Sequence, residues 1–167
     1  MALWRADIKS ARLFYLKLIK ADATITLMNY FLAKTDPQTY SIDDLKREGT
    51  THWDGVHNYT AIAVIKSWKV GDRVFIYHSQ GQAAIVGMGE VVSVPKKDEN
   101  DPRGISWVAD VRYICTYPAD RQVTLRQVKE SGLFADFPLV RLSRLSTMAC
   151  TPEFTKWVLE RVGSTPQ

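Results

Sequence analysis

The chain has 167 residues, 46% of them hydrophobic and 24% charged, which is typical of a globular domain with a core of its own. Its net charge of +4 is too small for a bulk electrostatic nucleic-acid binder. The two cysteines, Cys115 and Cys150, form no disulfide or zinc pattern and favour a reducing compartment, while no apolar run reaches the roughly 18 residues of a membrane span.

Residues 1–27 differ in charge from the rest of the chain. They carry five basic and two acidic side chains, whereas residues 28–167 carry 17 basic and 16 acidic ones. Apolar residues at helical spacing alternate with the basic ones, a pattern that fits a dispensable or non-native extension, a targeting segment or a packing helix. We expect residues 1–27 to be an N-terminal extension, Met28 to be the natural start, and residues 28–165 to form one domain.

The first half of that domain predicts strand, helix, loop and helix. Residues 29–34 alternate and are rich in aromatics, which indicates a strand, and a turn follows at 35–40. Ser41 and Asp44 fit a helix start and Gly49 fits its end, which predicts a helix over 41–49. Residues 50–59 are interpreted as a loop, and the apolar spacing of 60–68 predicts a second helix.

The second half predicts strands followed by helices. Residues 73–79, 84–94 and 106–117 are interpreted as strands, and Gly87 and Gly89 suggest a bulge or a close backbone approach. Thr124 and Gln127 form a capping box that opens a helix over 123–131. An irregular strand and loop is predicted at 139–151, and a last helix at 152–163.

This order of elements predicts a mixed α+β fold. Short strands with bulge glycines fit a small, bent antiparallel β-barrel of about five strands with short flanking helices. No strand is followed by a GxGxxG or P-loop motif, so a nucleotide-binding α/β sheet is not expected.

Four motifs together resemble the EVE domain family: DPxxYSIDDL at 36–45, WDGVxNY at 53–59, GDxVFxYHS at 71–79 and SRLS at 143–146. The resemblance runs from Met28 to about Val162. It implies a PUA-like fold, kinship with ASCH, YTH and SRA domains, and binding of modified nucleobases in DNA or RNA without a cofactor. The chain departs from the family at His57, where arginine is usual, and this exchange removes a permanent fork of donors.

The segment WDGVHNY suggests how a base would be held. Trp53 offers a stacking wall, Asn58 offers a donor and an acceptor for the base edge, and Gly55 lets backbone amides approach closely. Lys34 and Arg144 could hold phosphate, and Thr35 and Ser79 could bond the base or sugar. The full set of candidate ligand-binding residues is Trp53, Gly55, Val56, Asn58, Tyr59, Lys34, Thr35, His78, Ser79, Ser143, Arg144 and Leu145.

Each candidate also has a purely structural interpretation. Trp53 could plug the core, since tryptophan is usually well buried, and Asn58 could cap the helix that follows it. Tyr59 fits the core better than a ligand cage. His78 could be a satisfied core histidine, and Ser143 could pin an irregular loop.

The function expected from the sequence is that of a non-catalytic module that takes a modified base into an aromatic-lined pocket. Modified cytosine in DNA is the first choice and modified RNA the second; a small-molecule sensor and a hydrolase of modified nucleotides are the alternatives. His52, Asp54 and His57 are too loosely spaced for a metal site, so neither cofactor nor metal is expected. We expect a monomer with no membrane partner, cytoplasmic in a bacterium and nuclear or organellar in a eukaryote.

Overall fold

The computed structural model describes residues 28–163, so the expectations for residues 1–27 and for the end of the domain lie outside the described part. The strands are β1 (Tyr30–Thr35), β2 (Thr50–Trp53), β3 (Arg73–His78), β4 (Ala84–Val91), β5 (Lys96–Lys97), β6 (Trp107–Thr116), β7 (Val123–Thr124) and β8 (Thr147–Ala149). The helices are α1 (Ile42–Glu48), α2 (Tyr59–Ser67), α3 (Leu125–Glu130), α4 (Pro138–Arg141) and α5 (Pro152–Val162). No helix in this range is both long and apolar enough to cross a bilayer.

The sheet is one curled layer in the order β2-β6-β4-β3-β1-β8. The short strands β5 and β7 pair with β6 and β4. Helix α2 contacts both β8, at one end of the sheet, and β6, next to the other end. It therefore bridges the open side of a partial barrel, and the α+β prediction with a bent barrel-like sheet is confirmed.

The strand predictions need four corrections. Residues 50–53 of the predicted loop form β2, which pairs with β6. Residues 139–151 contain the end of α4 and the short strand β8 rather than one irregular strand. Strands β1 and β3 run parallel, so the sheet is not wholly antiparallel, and the described chain has eight strands rather than about five.

The helix boundaries follow from local capping. The side chain of Ser41 accepts from the Asp44 amide and the Asp44 carboxylate accepts from the Ser41 amide, which completes a capping box on α1. Thr124 and Gln127 form the same reciprocal pair on α3. Thr151 caps α5, with Pro152 in its first turn. These three starts agree with the sequence prediction because caps depend on residues only a few positions apart.

Glycines in β4 let neighbouring groups pack closely. A Cβ on Gly89 would lie 2.6 Å from Val111 Cγ1, and one on Gly87 would lie 2.8 Å from Ile42 Cδ1. The ladder also shifts register between Met88 and Gly89. The predicted close approach and bulge are both confirmed, and they bend the sheet where α1 packs against it.

Candidate functional site

A cleft of about 600 Å³ opens between the end of β1 and the end of β2. This size falls in the usual range for small-molecule sites. Its walls come from β1, from the turn before α1, from β2 with the loop after it, and from the segment before β8: Lys34, Thr35, Thr39, Tyr40, Thr51, His52, Trp53, Asp54, Gly55, Val56 and Ser146. Five of the predicted site residues therefore meet here, namely Lys34, Thr35, Trp53, Gly55 and Val56.

Trp53 lies in the core, as its structural interpretation predicts, and it also lines the cleft. Its side chain is only 8% exposed. Strand β2 fixes its position through pairing with Ala109 of β6. A ring held in this way is a rigid wall, which suits stacking because little freedom is lost when a flat ligand binds.

The two residues that follow Asp54 form the next part of the wall. Gly55 has φ +68°, a backbone conformation that residues other than glycine rarely adopt. This turn brings Val56, which is 6% exposed, into the lining of the cleft. The glycine is therefore favoured here by the backbone conformation, and its predicted role in letting backbone amides approach a base stays a prediction.

Asn58 caps α2, as its structural interpretation predicts. Its Oδ1 accepts from the Thr60 amide at 2.9 Å and from the Ala61 amide at 3.2 Å. The side-chain oxygen is thus engaged at the helix start, and Asn58 does not line the cleft. Tyr59 is 74% exposed, so its assignment to the core is wrong.

Within the described chain, Lys34 is the only lysine or arginine that lines the cleft. Its Nζ donates to the carbonyl of Ser143 at 3.2 Å and lies 3.5 Å from that of Leu142. No carboxylate pairs with it anywhere in residues 28–163. Burial lowers the pKa of Lys34, which reflects a charge that lacks an anionic partner.

Thr35, His78 and Ser79 make bonds that hold the cleft in shape. The Thr35 hydroxyl donates to the Tyr40 carbonyl at 2.6 Å, and the Ser79 hydroxyl donates to the Thr35 carbonyl at 3.2 Å. His78 Nε2 accepts from the Ile42 amide at 3.0 Å. Burial lowers the pKa of His78, which favours the neutral ring that such an acceptor needs. His78 is therefore engaged in a structural hydrogen bond, as its structural interpretation predicts.

The segment between α4 and β8 contributes differently from the prediction. Leu145 is 5% exposed and lies in the core, Arg144 is exposed, and neither lines the cleft. Ser143 meets the cleft only through its carbonyl, which accepts from Lys34. Ser146 lines the cleft instead, and its carbonyl accepts from the Lys34 amide at 2.7 Å.

Sequence reasoning leaves several lining residues unassigned, namely Thr39, Tyr40, Thr51, His52, Asp54 and Ser146. Tyr40 stands inside the DPxxYS motif, which is the one available signal for it. Its hydroxyl donates to Glu48 at 2.7 Å, and burial is the main cause that raises its pKa to about 12. Thr51 and His52 are missed as ligand-binding residues because they precede the WDGVxNY motif, from which the neighbouring site residues are predicted.

His52 and His57, which lie on either side of Trp53 in the sequence, contact different carboxylates. His52 Nδ1 bonds Asp110, and His57 Nε2 lies 3.3 Å from Asp101 Oδ1. Among residues 28–163 no group of three or more His, Cys, Asp or Glu side chains could hold a metal. Burial raises the pKa of both Cys115 and Cys150, so neither thiol is poised as a nucleophile.

Sequence comparison identifies a family and relatives of this chain. The EVE domain family matches residues 29–161. Thymocyte nuclear protein 1 of Mus musculus is 28% identical over 175 residues, which cover 84% of this chain and 76% of the mouse protein.

Solved structures show the same fold. The NMR structure of a Rhodopseudomonas palustris protein is 32% identical, with a TM-score of 0.74 over 81% of this chain and 94% of its own. The human THYN1 protein, solved in complex with 5-methylcytosine-containing DNA, is 25% identical with a TM-score of 0.72 over 83% of this chain and 99% of its own. The PUA-like fold is thereby confirmed, and the chain belongs to the EVE domain family.

Proposed function

We propose that this chain binds DNA and takes a single modified cytosine into the cleft beside Trp53, without catalysing a reaction. The observation that carries the proposal is the cleft itself, which has an aromatic wall at Trp53 and, at Lys34, an ammonium that pairs with no carboxylate among residues 28–163. Support also comes from the human relative, which was solved with 5-methylcytosine-containing DNA. A base inside a duplex would have to be flipped out to enter such a cleft.

The lining of the cleft suits the two halves of a nucleotide. Trp53 and Val56 offer apolar surface to a base and its methyl group, and stacking on an aromatic ring is worth about 1–3 kcal/mol per base. Lys34 offers a positive charge to a phosphate oxygen. Hydroxyls at Thr39, Thr51 and Ser146 can donate to or accept from a base edge. Asn58 lies outside the cleft lining, and its oxygen caps α2.

The first experiment measures binding of short DNA and RNA strands, single and double, with and without 5-methylcytosine, 5-hydroxymethylcytosine and N6-methyladenine. Trp53→Ala should weaken binding of the preferred strand at least about tenfold, since about 1.4 kcal/mol corresponds to a factor of ten. Trp53→Phe should lose less because it keeps a ring.

Trp157→Ala is the matched control. Trp157 is also 8% exposed and packed in the core, but it lies on α5 and does not line the cleft. Both alanine variants should lose stability, and only Trp53→Ala should lose affinity when both are measured below their unfolding temperatures. Equal affinity in the two variants would refute the stacking role. Preference for modified RNA over DNA would favour the RNA alternative, and binding of a free nucleoside alone would favour a sensor.

A further inference from the structure

The loop 54–57, which connects β2 to α2, forms few backbone hydrogen bonds of its own. Strand β2 ends at Trp53 and Asn58 is the cap of α2. No backbone–backbone hydrogen bond within residues 28–163 involves residues 54–57. Two of these residues, Gly55 and Val56, nevertheless line the cleft with the ordered shape described above. Their position must therefore come from side chains elsewhere in the fold.

A turn far along the chain provides these contacts. The Ser106 hydroxyl, fully buried, donates to the Val56 carbonyl at 2.9 Å. Asp101 Oδ1 lies 3.3 Å from His57 Nε2. Both contacts join residues 44 to 50 positions apart, and they hold two neighbouring residues of the same loop.

The turn 101–106 is itself rigid. The Asp101 side chain is only 2% exposed, and its carboxylate accepts from the amides of Arg103, Ile105 and Ser106 at 3.1, 2.9 and 2.8 Å. The Gly104 amide also bonds the Asp101 carbonyl at 2.9 Å. A carboxylate with three amide donors is fixed in direction, so the same group that builds the turn presents a fixed oxygen to His57.

We propose that Asp101 and Ser106 are positioning residues, which set the affinity of the cleft by holding Gly55 and Val56 in place. The proposal rests on the proposed function for its affinity readout, but not for its structural one. Neither residue lines the cleft, so each acts only through the loop 54–57. A wall held in advance loses less freedom on binding, which is why its loss weakens a complex even when no contact to the ligand is removed.

The test compares Ser106→Ala with Ser131→Ala. The Ser131 hydroxyl also donates to a backbone carbonyl, that of Val128 at 2.7 Å, and it lies at the end of α3 away from the cleft lining. Ser106→Ala should weaken binding of 5-methylcytosine-containing DNA by up to about tenfold, the range of one hydrogen bond. Ser131→Ala should leave it unchanged, with both measured where the variants are fully folded.

A second readout works on the free protein. Amide hydrogen exchange and ¹H–¹⁵N shifts at Gly55, Val56 and His57 should change in Ser106→Ala and not in Ser131→Ala. Unchanged amides together with wild-type affinity would overturn the proposal. If the wild-type chain binds no nucleic acid, the proposed function fails, while the amide readout still decides whether the turn positions the loop.

The contact between His57 and Asp101 is tested by a double-mutant cycle. His57→Ala, Asp101→Asn and the double variant are compared in their affinity for the same strand. If Asp101 acts through His57, the losses of binding free energy in the two single variants should sum to more than the loss in the double variant. Strict additivity would remove Asp101 from the proposal, and a purely structural role for Asp101 would alter stability alone.

Discussion

Asp101 shows how one buried carboxylate can organise a loop that has no regular secondary structure. Its three amide donors, with the bond from Ser106 the largest cause, lower its pKa to about 2 from an ordinary value of 3.8. A carboxyl group whose pKa is lower in the folded than in the unfolded protein adds stability above the unfolded value. That contribution is lost as the pH falls from about 4 to about 2.

We expect the difference in free energy of unfolding between the wild type and Asp101→Asn to depend on pH. The variant should be less stable at neutral pH, and the gap in free energy of unfolding should narrow between about pH 4 and pH 2. Chemical denaturation at several pH values measures it. Asp44 also has a pKa lowered to about 2, but it is present in both proteins and cancels in the difference. A gap that stays constant down to pH 2 would contradict this account.

Roles at single residues are predictable where they depend on near neighbours. Asn58 precedes a helical apolar pattern, which predicts a cap, and the structure shows it. The core position of Trp53 is predictable from its residue type and is confirmed, and its stacking role stays a prediction that its place in the cleft lining supports. Ser106 and Asp101 are not predictable as partners of Val56 and His57, because their bonds join parts of the chain 44 to 50 residues apart.

Helices and strands are likewise predictable where they depend on neighbouring residues and not where they depend on distant contacts. Helices α1, α3 and α5 begin where their caps predict, since a cap is written in about four consecutive residues. Strand β2 is missed because its four residues show no alternation of buried and exposed positions long enough to detect. The parallel pairing of β1 with β3 is also missed, because strand direction is set by the chain between the two strands rather than by the strands themselves.

Strand β4 owes its place in the sheet to glycines that leave room for neighbours. Gly87→Ala should destabilise the fold by about 1–3 kcal/mol, the usual range for overpacking a core, because the new Cβ would lie 2.8 Å from Ile42 Cδ1 and would also meet a backbone carbonyl of β6. Thermal or urea unfolding measures the change.

Comparison of Gly87→Ala with Gly104→Ala distinguishes the cost of crowding from the cost of backbone strain. Gly104 has φ +63° and nothing within 4 Å of an added Cβ, so its replacement introduces strain of roughly 1 kcal/mol and no clash. A second substitution, Ile42→Val, should relieve only the part of the Gly87→Ala cost that comes from Ile42 Cδ1, because the Cys115 carbonyl still crowds the new Cβ, and it should not rescue Gly104→Ala. If Gly87→Ala proved as stable as the wild type, the close approach in β4 would be unnecessary for the fold.

At the scale of the whole molecule, the charge of the described domain limits how it can bind DNA. Residues 28–167 hold nearly equal numbers of basic and acidic groups, and several arginines are paired, such as Arg73 and Arg112 with Glu90. Binding by bulk attraction would then be weak, and the affinity would depend mainly on the cleft. We therefore expect a shallow salt dependence, equivalent to about two or three phosphate contacts.

Lys34 should account for one of those contacts. Lys34→Gln should reduce the slope of log K against log salt concentration by about 0.9 for duplex DNA or about 0.7 for a single strand, as binding is titrated from low to physiological salt. Lys34→Arg keeps the charge and should keep the slope. Lys129→Gln, an exposed charge on α3 outside the cleft lining, should leave it unchanged. Equal slopes in Lys34→Gln and the wild type would show that no phosphate lies against Lys34.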